Sequence, residues 1–100
     1  MTRESAVSVL ESNRRLFKKA YLFGSVARNE ADGHSDADVI LVRDSDKDFF
    51  HRITEVKELV NSFGSVDMLI YTPQEFEITR ESSGFVASVV EEAVVIEGQQ

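Results

Sequence analysis

The sequence has no cysteine, a single proline and few glycines. Without cysteine it has neither a disulfide framework nor a cysteine-based zinc site, and no stretch rich in proline or glycine marks a linker between domains. No apolar run reaches the roughly 18 residues that a membrane span requires, and Met1–Leu10 lacks the basic and then apolar layout of a secretory signal. We therefore expect a cytoplasmic protein with no membrane segment, folded as one domain over residues 1–100.

Positive charge is also scarce. Eleven lysines and arginines stand against 18 acidic residues, so the formal net charge is −7, and general binding to the phosphate backbone of nucleic acids is not expected. The excess of acidic residues lies in Asp44–Gln100, whose net charge is −8, whereas Met1–Arg43 has a net charge of +1. An acidic surface of this kind maintains solubility, and it would also suit a protein partner with a basic face. The sequence leaves both interpretations open.

Hydrophobic periodicity predicts helices that alternate with short strands. The expected strands are Ala20–Phe23, Asp38–Val42, Val66–Tyr71 and Val94–Ile96. The expected helices are Arg3–Asn13, Val26–Glu30, Phe49–Phe63, one that begins at Thr72-Pro73, and Phe85–Ala93. Ser45 or Asp46 is expected to cap the third helix, Gly64 to end it, and Asp32-Gly33 to form a turn. The order predicts the α/β (α+β) class, with helices packed on a single mixed sheet.

Gly24 and Ser25 follow the first predicted strand and open a short helix. A glycine at such a place lets the backbone approach a ligand closely, and the helix start with its serine hydroxyl favours phosphate. Most Gly-Ser pairs after a strand are simple turns, so the pair alone is a weak signal.

Three aspartates give the stronger signal. Asp36 and Asp38 alternate at the head of the second predicted strand, which places both carboxylates on one face. Such a pair also occurs in turns at strand starts, but Asp67 additionally interrupts the apolar run of the third strand. Carboxylates on adjacent strands are hard oxygen ligands suited to Mg²⁺, and two ions that share a carboxylate serve in-line phosphoryl chemistry.

Gly24-Ser25, ten intervening residues, and Asp36-x-Asp38 together resemble the signature of the minimal nucleotidyltransferases of the DNA polymerase β-like superfamily. Ser35, Arg28 and the later Asp67 match the same pattern, and the resemblance covers essentially the whole chain. One departure is Asn29, where many members carry glycine, which alters the turn but no proposed ligand. The resemblance implies a nucleotidyltransferase fold similar to the polymerase β palm.

The resemblance also implies roles for these residues. Gly24 and Ser25 would hold the β- and γ-phosphates of a nucleoside triphosphate, with Arg28 and Ser35 as further nucleotide-binding residues. Asp36, Asp38 and Asp67 would be the catalytic residues and the ligands of Mg²⁺, two ions in all, with Asp67 helping to activate the attacking hydroxyl. An exposed helix position is the alternative for Arg28.

In this family the resemblance implies adenylylation, with ATP as substrate, of a HEPN-type ribonuclease toxin that the small protein counteracts as antitoxin. Two alternatives remain open: a binding module that masks its partner sterically without turnover, and a nucleotidyltransferase for a small-molecule acceptor. His34 is interpreted as a surface-loop residue rather than a metal ligand. The basic cluster of Arg14, Arg15, Lys18 and Lys19 is interpreted either as a complement to a helix end or as an attraction for nucleotides or RNA.

Overall fold

The computed structural model describes residues 1–30 and 35–100. The expected turn at Asp32-Gly33 and the surface-loop interpretation of His34 lie outside the described residues. The strands of the structure are β1 (Lys19–Phe23), β2 (Ala37–Val42), β3 (Val66–Tyr71) and β4 (Val94–Glu97). Its α-helices are α1 (Arg3–Glu11), α2 (Gly24–Ala27), α3 (Lys57–Phe63), α4 (Pro73–Ser82) and α5 (Gly84–Glu92), joined by 3₁₀ segments at Arg14–Leu16 and Phe49–Val56.

The strands form one mixed sheet in the order β3-β2-β1-β4. β1 pairs antiparallel with both β2 and β4, whereas β2 and β3 run parallel. The parallel pair requires a crossover, which the second 3₁₀ segment and α3 provide. The predicted α/β class with a single mixed sheet is therefore confirmed.

Side chains of the sheet alternate between two apolar layers, as the pleat of a strand requires. Val39 and Leu41 of β2 face the layer that contains α1, α2 and α3. Ile40 and Val42 face the layer that contains α4 and α5. Both faces of β2 are thus covered, which explains why its sequence is almost wholly apolar.

Local signals at two helix ends act as predicted. Thr72 and Glu75 form a reciprocal capping box with Pro73 in the first turn of α4. Gly64 ends α3 with a φ of 78°, a backbone conformation that glycine adopts without a steric penalty.

The segment Phe49–Phe63 differs from its prediction, because a 3₁₀ segment runs to Val56 before the α-helix begins. Its cap is Asp48, whose Oδ1 accepts a hydrogen bond from the Phe50 amide, and not Ser45 or Asp46. The Ser45 hydroxyl donates to Glu55 instead. A spacing of three or four apolar residues fits both kinds of helix, so the sequence pattern does not separate them.

Two further findings concern helices. α2 begins at Gly24 and ends at Ala27, so the prediction of a helix over Val26–Glu30 was placed too late in the chain. Asn29 follows with a φ of 60°, a left-handed conformation that asparagine tolerates better than most residues. Among the helices of residues 1–30 and 35–100, none combines the length and the apolar composition needed to cross a membrane.

Candidate active site

Gly24 lies where β1 ends and α2 begins, and it packs directly against Asp38. Its φ of 77° is in the region that favours glycine. A methyl group at this position would overlap the carboxylate of Asp38 and would lie 3.1 Å from its Cγ. The absence of a side chain therefore lets the backbone of the β1–α2 turn touch the second residue of β2.

Asp38 occupies the centre of the site because it has a neighbour on each side across the sheet. It is opposite Phe23 in the β1–β2 pair and beside Asp67 in the β2–β3 pair. Residues in register on adjacent strands share a face, so the two carboxylates lie on the same side of the sheet, the side covered by α4 and α5. Asp36 immediately precedes β2, two residues from Asp38.

Burial and the repulsion between neighbouring carboxylates both disfavour the charged form of Asp38. Burial raises the pKa of Asp38, and the nearby carboxylates of Asp67 and Asp36 raise it further. The positive charge of Arg28 acts in the opposite direction on the same pKa. Asp38 is half-buried, whereas Asp36 and Asp67 are exposed to solvent. A site of this kind favours any cation that can reduce the repulsion.

The chemistry of the donor set fits a hard divalent cation, because carboxylate oxygens are the ligands that Mg²⁺ prefers. In residues 1–30 and 35–100, however, no group of three or more aspartate, glutamate and histidine side chains is arranged to enclose an ion. Mg²⁺ commonly takes only one or two carboxylates and completes its shell with water and substrate phosphates. The aspartates therefore fit a site that the substrate completes rather than an all-protein cage.

The remaining predicted residues surround Gly24. Ser25 is half-buried in the first turn of α2, and Arg28 caps the end of that helix. Arg28 is exposed and its Nε lies 3.1 Å from a carboxylate oxygen of Glu30, an ion pair that solvent weakens. Ser35 is half-buried just before Asp36.

An aromatic pair beside the cluster was missed by the sequence patterns. The ring of Phe23 meets the ring of Phe85 edge to face, with their centroids 5.7 Å apart. Phe85 belongs to the apolar stripe that predicts the last helix, yet 55% of it is exposed. The one available signal was that Phe23 directly precedes Gly24.

A cavity of about 210 Å³ lies away from the aspartates. It is lined by Lys18, Lys19, Val42, Pro73, Phe76 and Glu77. Val42 is the last residue of β2, whereas Asp38 is near its start. The cavity is therefore at the opposite end of the strand, and it is smaller than the clefts that usually enclose a drug-sized ligand.

The basic cluster near this cavity is largely paired with neighbouring groups. Lys18 and Lys19 lie 3.4 Å from carboxylate oxygens of Asp44 and Glu97, respectively. Arg15 pairs with Glu58, and Arg14 Nε donates to the carbonyl oxygen of Glu97 at 2.7 Å. These contacts join the start of β1 to the segments around it.

Comparison with solved structures supports the fold. A candidate nucleotidyltransferase from Sulfolobus solfataricus matches with a TM-score of 0.54 and 20% identity, covering 97% of this chain and 77% of that one. A toxin–antitoxin complex with AMP-PNP matches with a TM-score of 0.58 and 21% identity, covering 100% and 76%. A mutant of the toxin–antitoxin pair MntA–HpeT matches with a TM-score of 0.54 and 22% identity, covering 100% and 75%.

No curated protein matches the sequence. The family model described as nucleotidyltransferase domain matches residues 7–97. The matched region contains the β1–α2 turn and both aspartate-bearing strands. The chain therefore belongs to the nucleotidyltransferase domain family.

Proposed function

We propose that the chain transfers a nucleoside monophosphate, AMP from ATP, to a hydroxyl group of a protein partner, with Mg²⁺ as cofactor. In this proposal residues 1–100 form one nucleotidyltransferase domain that acts as the antitoxin of a HEPN-type ribonuclease toxin. The single observation that carries the chemistry is the contact of Gly24 with Asp38, with Asp67 beside Asp38 on the same face of the sheet.

The phosphates are assigned to the β1–α2 turn. Because Gly24 has no side chain, the backbone of the turn lies directly against Asp38, so phosphates bound at the turn would lie beside that carboxylate. Ser25 offers a hydroxyl donor, and Arg28 offers a guanidinium that binds phosphate oxygens in its planar fork. Ser35 completes the proposed set beside Asp36. The turn and the strand thus orient the triphosphate with its α-phosphate near the carboxylates.

Asp36, Asp38 and Asp67 would hold the metal ions. Bound Mg²⁺ would neutralise charge that develops on the phosphates during transfer. The acceptor oxygen attacks the α-phosphorus, the bond to the bridging oxygen breaks, and pyrophosphate leaves. Asp67 helps to activate the acceptor by accepting its hydroxyl proton, a role that suits an exposed carboxylate. Positioning and charge neutralisation supply most of the catalysis in reactions of this type.

The partner is inferred from charge and from the relatives. Two of the matching structures are described as toxin–antitoxin proteins, one of them with AMP-PNP, an analogue of ATP. The segment Asp44–Gln100 carries a net charge of −8, and complementary potentials raise encounter rates and select partners. A toxin with a basic face is therefore the partner we expect.

The test is transfer of label from [α-³²P]ATP, in the presence of Mg²⁺, to the protein encoded by the neighbouring gene. The wild-type chain should label that protein, and Asp38→Asn should reduce the rate by about a hundredfold or more, because one cation ligand is lost from the site. Asp46→Asn is the control for the loss of one aspartate, since Asp46 is exposed and lies before the 3₁₀ segment at the other end of β2. Equal labelling by Asp38→Asn and wild type would refute the proposed chemistry.

Steric masking of the toxin is the second candidate. It is favoured by the likeness to toxin–antitoxin proteins, since such a complex can neutralise a toxin by binding alone. Toxin neutralisation in cells distinguishes the two, with Asp38→Asn as the variant and Asp46→Asn as its control. Loss of neutralisation by Asp38→Asn supports transfer, whereas retained neutralisation without labelling supports masking.

A further inference from the structure

Phe85 differs from its neighbours in α5 because its aromatic ring is open to solvent. It is 55% exposed, while Val86 and Val89 of the same helix are 1% and 5% exposed. A phenyl ring left in water forgoes the stabilisation that burial would give. Its exposure is informative because of where the ring lies.

The ring of Phe85 lies over the end of β1 that carries the candidate site. It rests on Phe23 at a centroid distance of 5.7 Å and an interplanar angle of 77°. Phe23 in turn is opposite Asp38 in the β1–β2 register and directly precedes Gly24. Phe85 is therefore one side chain removed from the residues assigned to the phosphates and the metal.

The other aromatic residues of this layer are not placed in this way. Tyr21, Tyr71 and Phe76 form a stacked and tilted group within the α4–α5 layer, and Tyr21 and Phe76 are 5% and 4% exposed. Phe50 is 85% exposed but belongs to the 3₁₀ segment that follows β2. Of these rings, Phe85 alone is both exposed and in contact with Phe23, the residue opposite Asp38.

We propose that Phe85, supported by Phe23, is the surface on which the nucleobase of the nucleoside triphosphate stacks. The inference rests on the proposed function and adds the binding site for the base. In a nucleotide the ribose separates the base from the α-phosphate, and Phe23 separates the Phe85 ring from Asp38 in a comparable way. Stacking on an aromatic ring tolerates any base because every base has a π-face. Phe85 thus contributes affinity without selecting adenine over guanine.

Binding measurements with two probes test the proposal on the intact chain. AMP-PNP carries a base and a non-transferable triphosphate, whereas inorganic tripolyphosphate carries the phosphates alone. Both are titrated with Mg²⁺ by calorimetry. Phe85→Ala should weaken AMP-PNP binding by about five- to a hundredfold, as expected for the loss of one stacked base, and should leave tripolyphosphate affinity within a factor of two.

Three more variants complete the experiment. Phe85→Tyr should bind AMP-PNP as wild type does, because the π-face is kept. Phe85→Leu should weaken AMP-PNP binding although the side chain remains apolar. If Phe85→Ala does not fold, the comparison of Phe85→Tyr with Phe85→Leu decides the question. Phe50→Ala is the matched control. Phe50 is also an exposed phenylalanine, but it lies beyond the end of β2 that is distant from Asp38. Its replacement should change the affinity for neither AMP-PNP nor tripolyphosphate.

The outcomes separate the inference from the function on which it rests. If the wild-type chain binds neither probe, both the proposed function and the stacking role are refuted. If wild type binds both and Phe85→Ala binds AMP-PNP equally well, only the stacking role is refuted. Equal losses for both probes would make Phe85 a structural residue. If Phe85→Ala binds AMP-PNP as wild type does but no longer co-purifies with the toxin, the ring belongs to the partner interface instead of the nucleotide site.

Discussion

Arg52 and Glu75 form a two-pronged ion pair that joins the 3₁₀ segment Phe49–Val56 to the first turn of α4. Nη1 and Nη2 of Arg52 each donate to the Glu75 carboxylate, the latter at 2.9 Å. Nη1 also donates to the carbonyl of Ile70 at 3.0 Å, and Nε to that of Lys47 at 3.0 Å. Arg52 is only 5% exposed, so every one of these bonds replaces lost hydration.

The first prediction concerns Arg52→Met. The variant removes the donor of two carbonyl groups and leaves the Glu75 carboxylate with only the Thr72 amide as donor. It should lower the free energy of unfolding by about 2–3 kcal/mol. The measurement is unfolding in urea at neutral pH. Arg80→Met is the control, since Arg80 pairs with Glu77 at 3.9 Å on the surface, where such pairs contribute about 0–1 kcal/mol. Equal stability of Arg52→Met and Arg80→Met would contradict the prediction.

The second prediction is the pH dependence that this pair confers. The Arg52 guanidinium lowers the pKa of Glu75 from 4.5 to about 2. Because the folded-state pKa lies below the unfolded one, the pair stabilises the fold above pH 4.5, and that stabilisation is lost as the pH falls toward 2. Urea unfolding from pH 6 to pH 2.5 should therefore show a steeper loss of stability for wild type than for Glu75→Gln. Parallel curves would refute the assignment.

The third prediction compares two glycines with almost the same backbone angle. Gly24 and Gly64 have φ values of 77° and 78°, so alanine at either position costs about 1–2 kcal/mol of backbone strain. A Cβ at Gly64 meets nothing within 4 Å, whereas a Cβ at Gly24 overlaps the Asp38 carboxylate. Gly24→Ala should abolish labelling of the partner and should lose more urea stability than Gly64→Ala, because its methyl group also overlaps Asp38. Gly64→Ala should lose only the stability that corresponds to the backbone strain and should keep the labelling. Retained labelling by Gly24→Ala would argue against the site.

The fourth prediction is that Asp38 favours function at the expense of stability. Burial and the carboxylates of Asp67 and Asp36 raise its pKa, which means that the charged form is less favourable in the folded state than in the unfolded state. Asp38→Asn should therefore be at least as stable as wild type in urea with EDTA present, although it loses transfer. A clearly lower urea midpoint for Asp38→Asn than for Asp46→Asn would show that the carboxylate has a structural role.

Much of the fold is encoded in local patterns. The apolar run Asp38–Val42 predicts a central strand, and Thr72, Pro73 and Glu75 predict the start of α4; both are confirmed. Asp67 is expected on a strand adjacent to Asp38, and the register places them side by side. These features depend on residues near one another in sequence, for which periodicity and capping rules are reliable guides.

Features that depend on distant residues were not predictable in the same way. Phe85 falls within an apolar stripe, but its exposure depends on how α5 crosses β1 next to Phe23. The pairing of Arg52 with Glu75 joins residues 23 positions apart, and neither has a local signal for its partner. The roles of the aspartates in catalysis stay predictions, since the register brings carboxylates together without identifying their ligand.

The position of β3 at one edge of the sheet sets a direction for the proposed reaction. In the part of the chain that the structure describes, no strand pairs beyond β3, and Asp67 near the start of that strand is exposed to solvent. Gly24 lies on the opposite side of Asp38, at the end of β1. In-line displacement requires the incoming and departing oxygens to be on opposite sides of the phosphorus. The acceptor would thus enter past β3 while pyrophosphate departs past α2, and a large folded acceptor would not block the exit of the product.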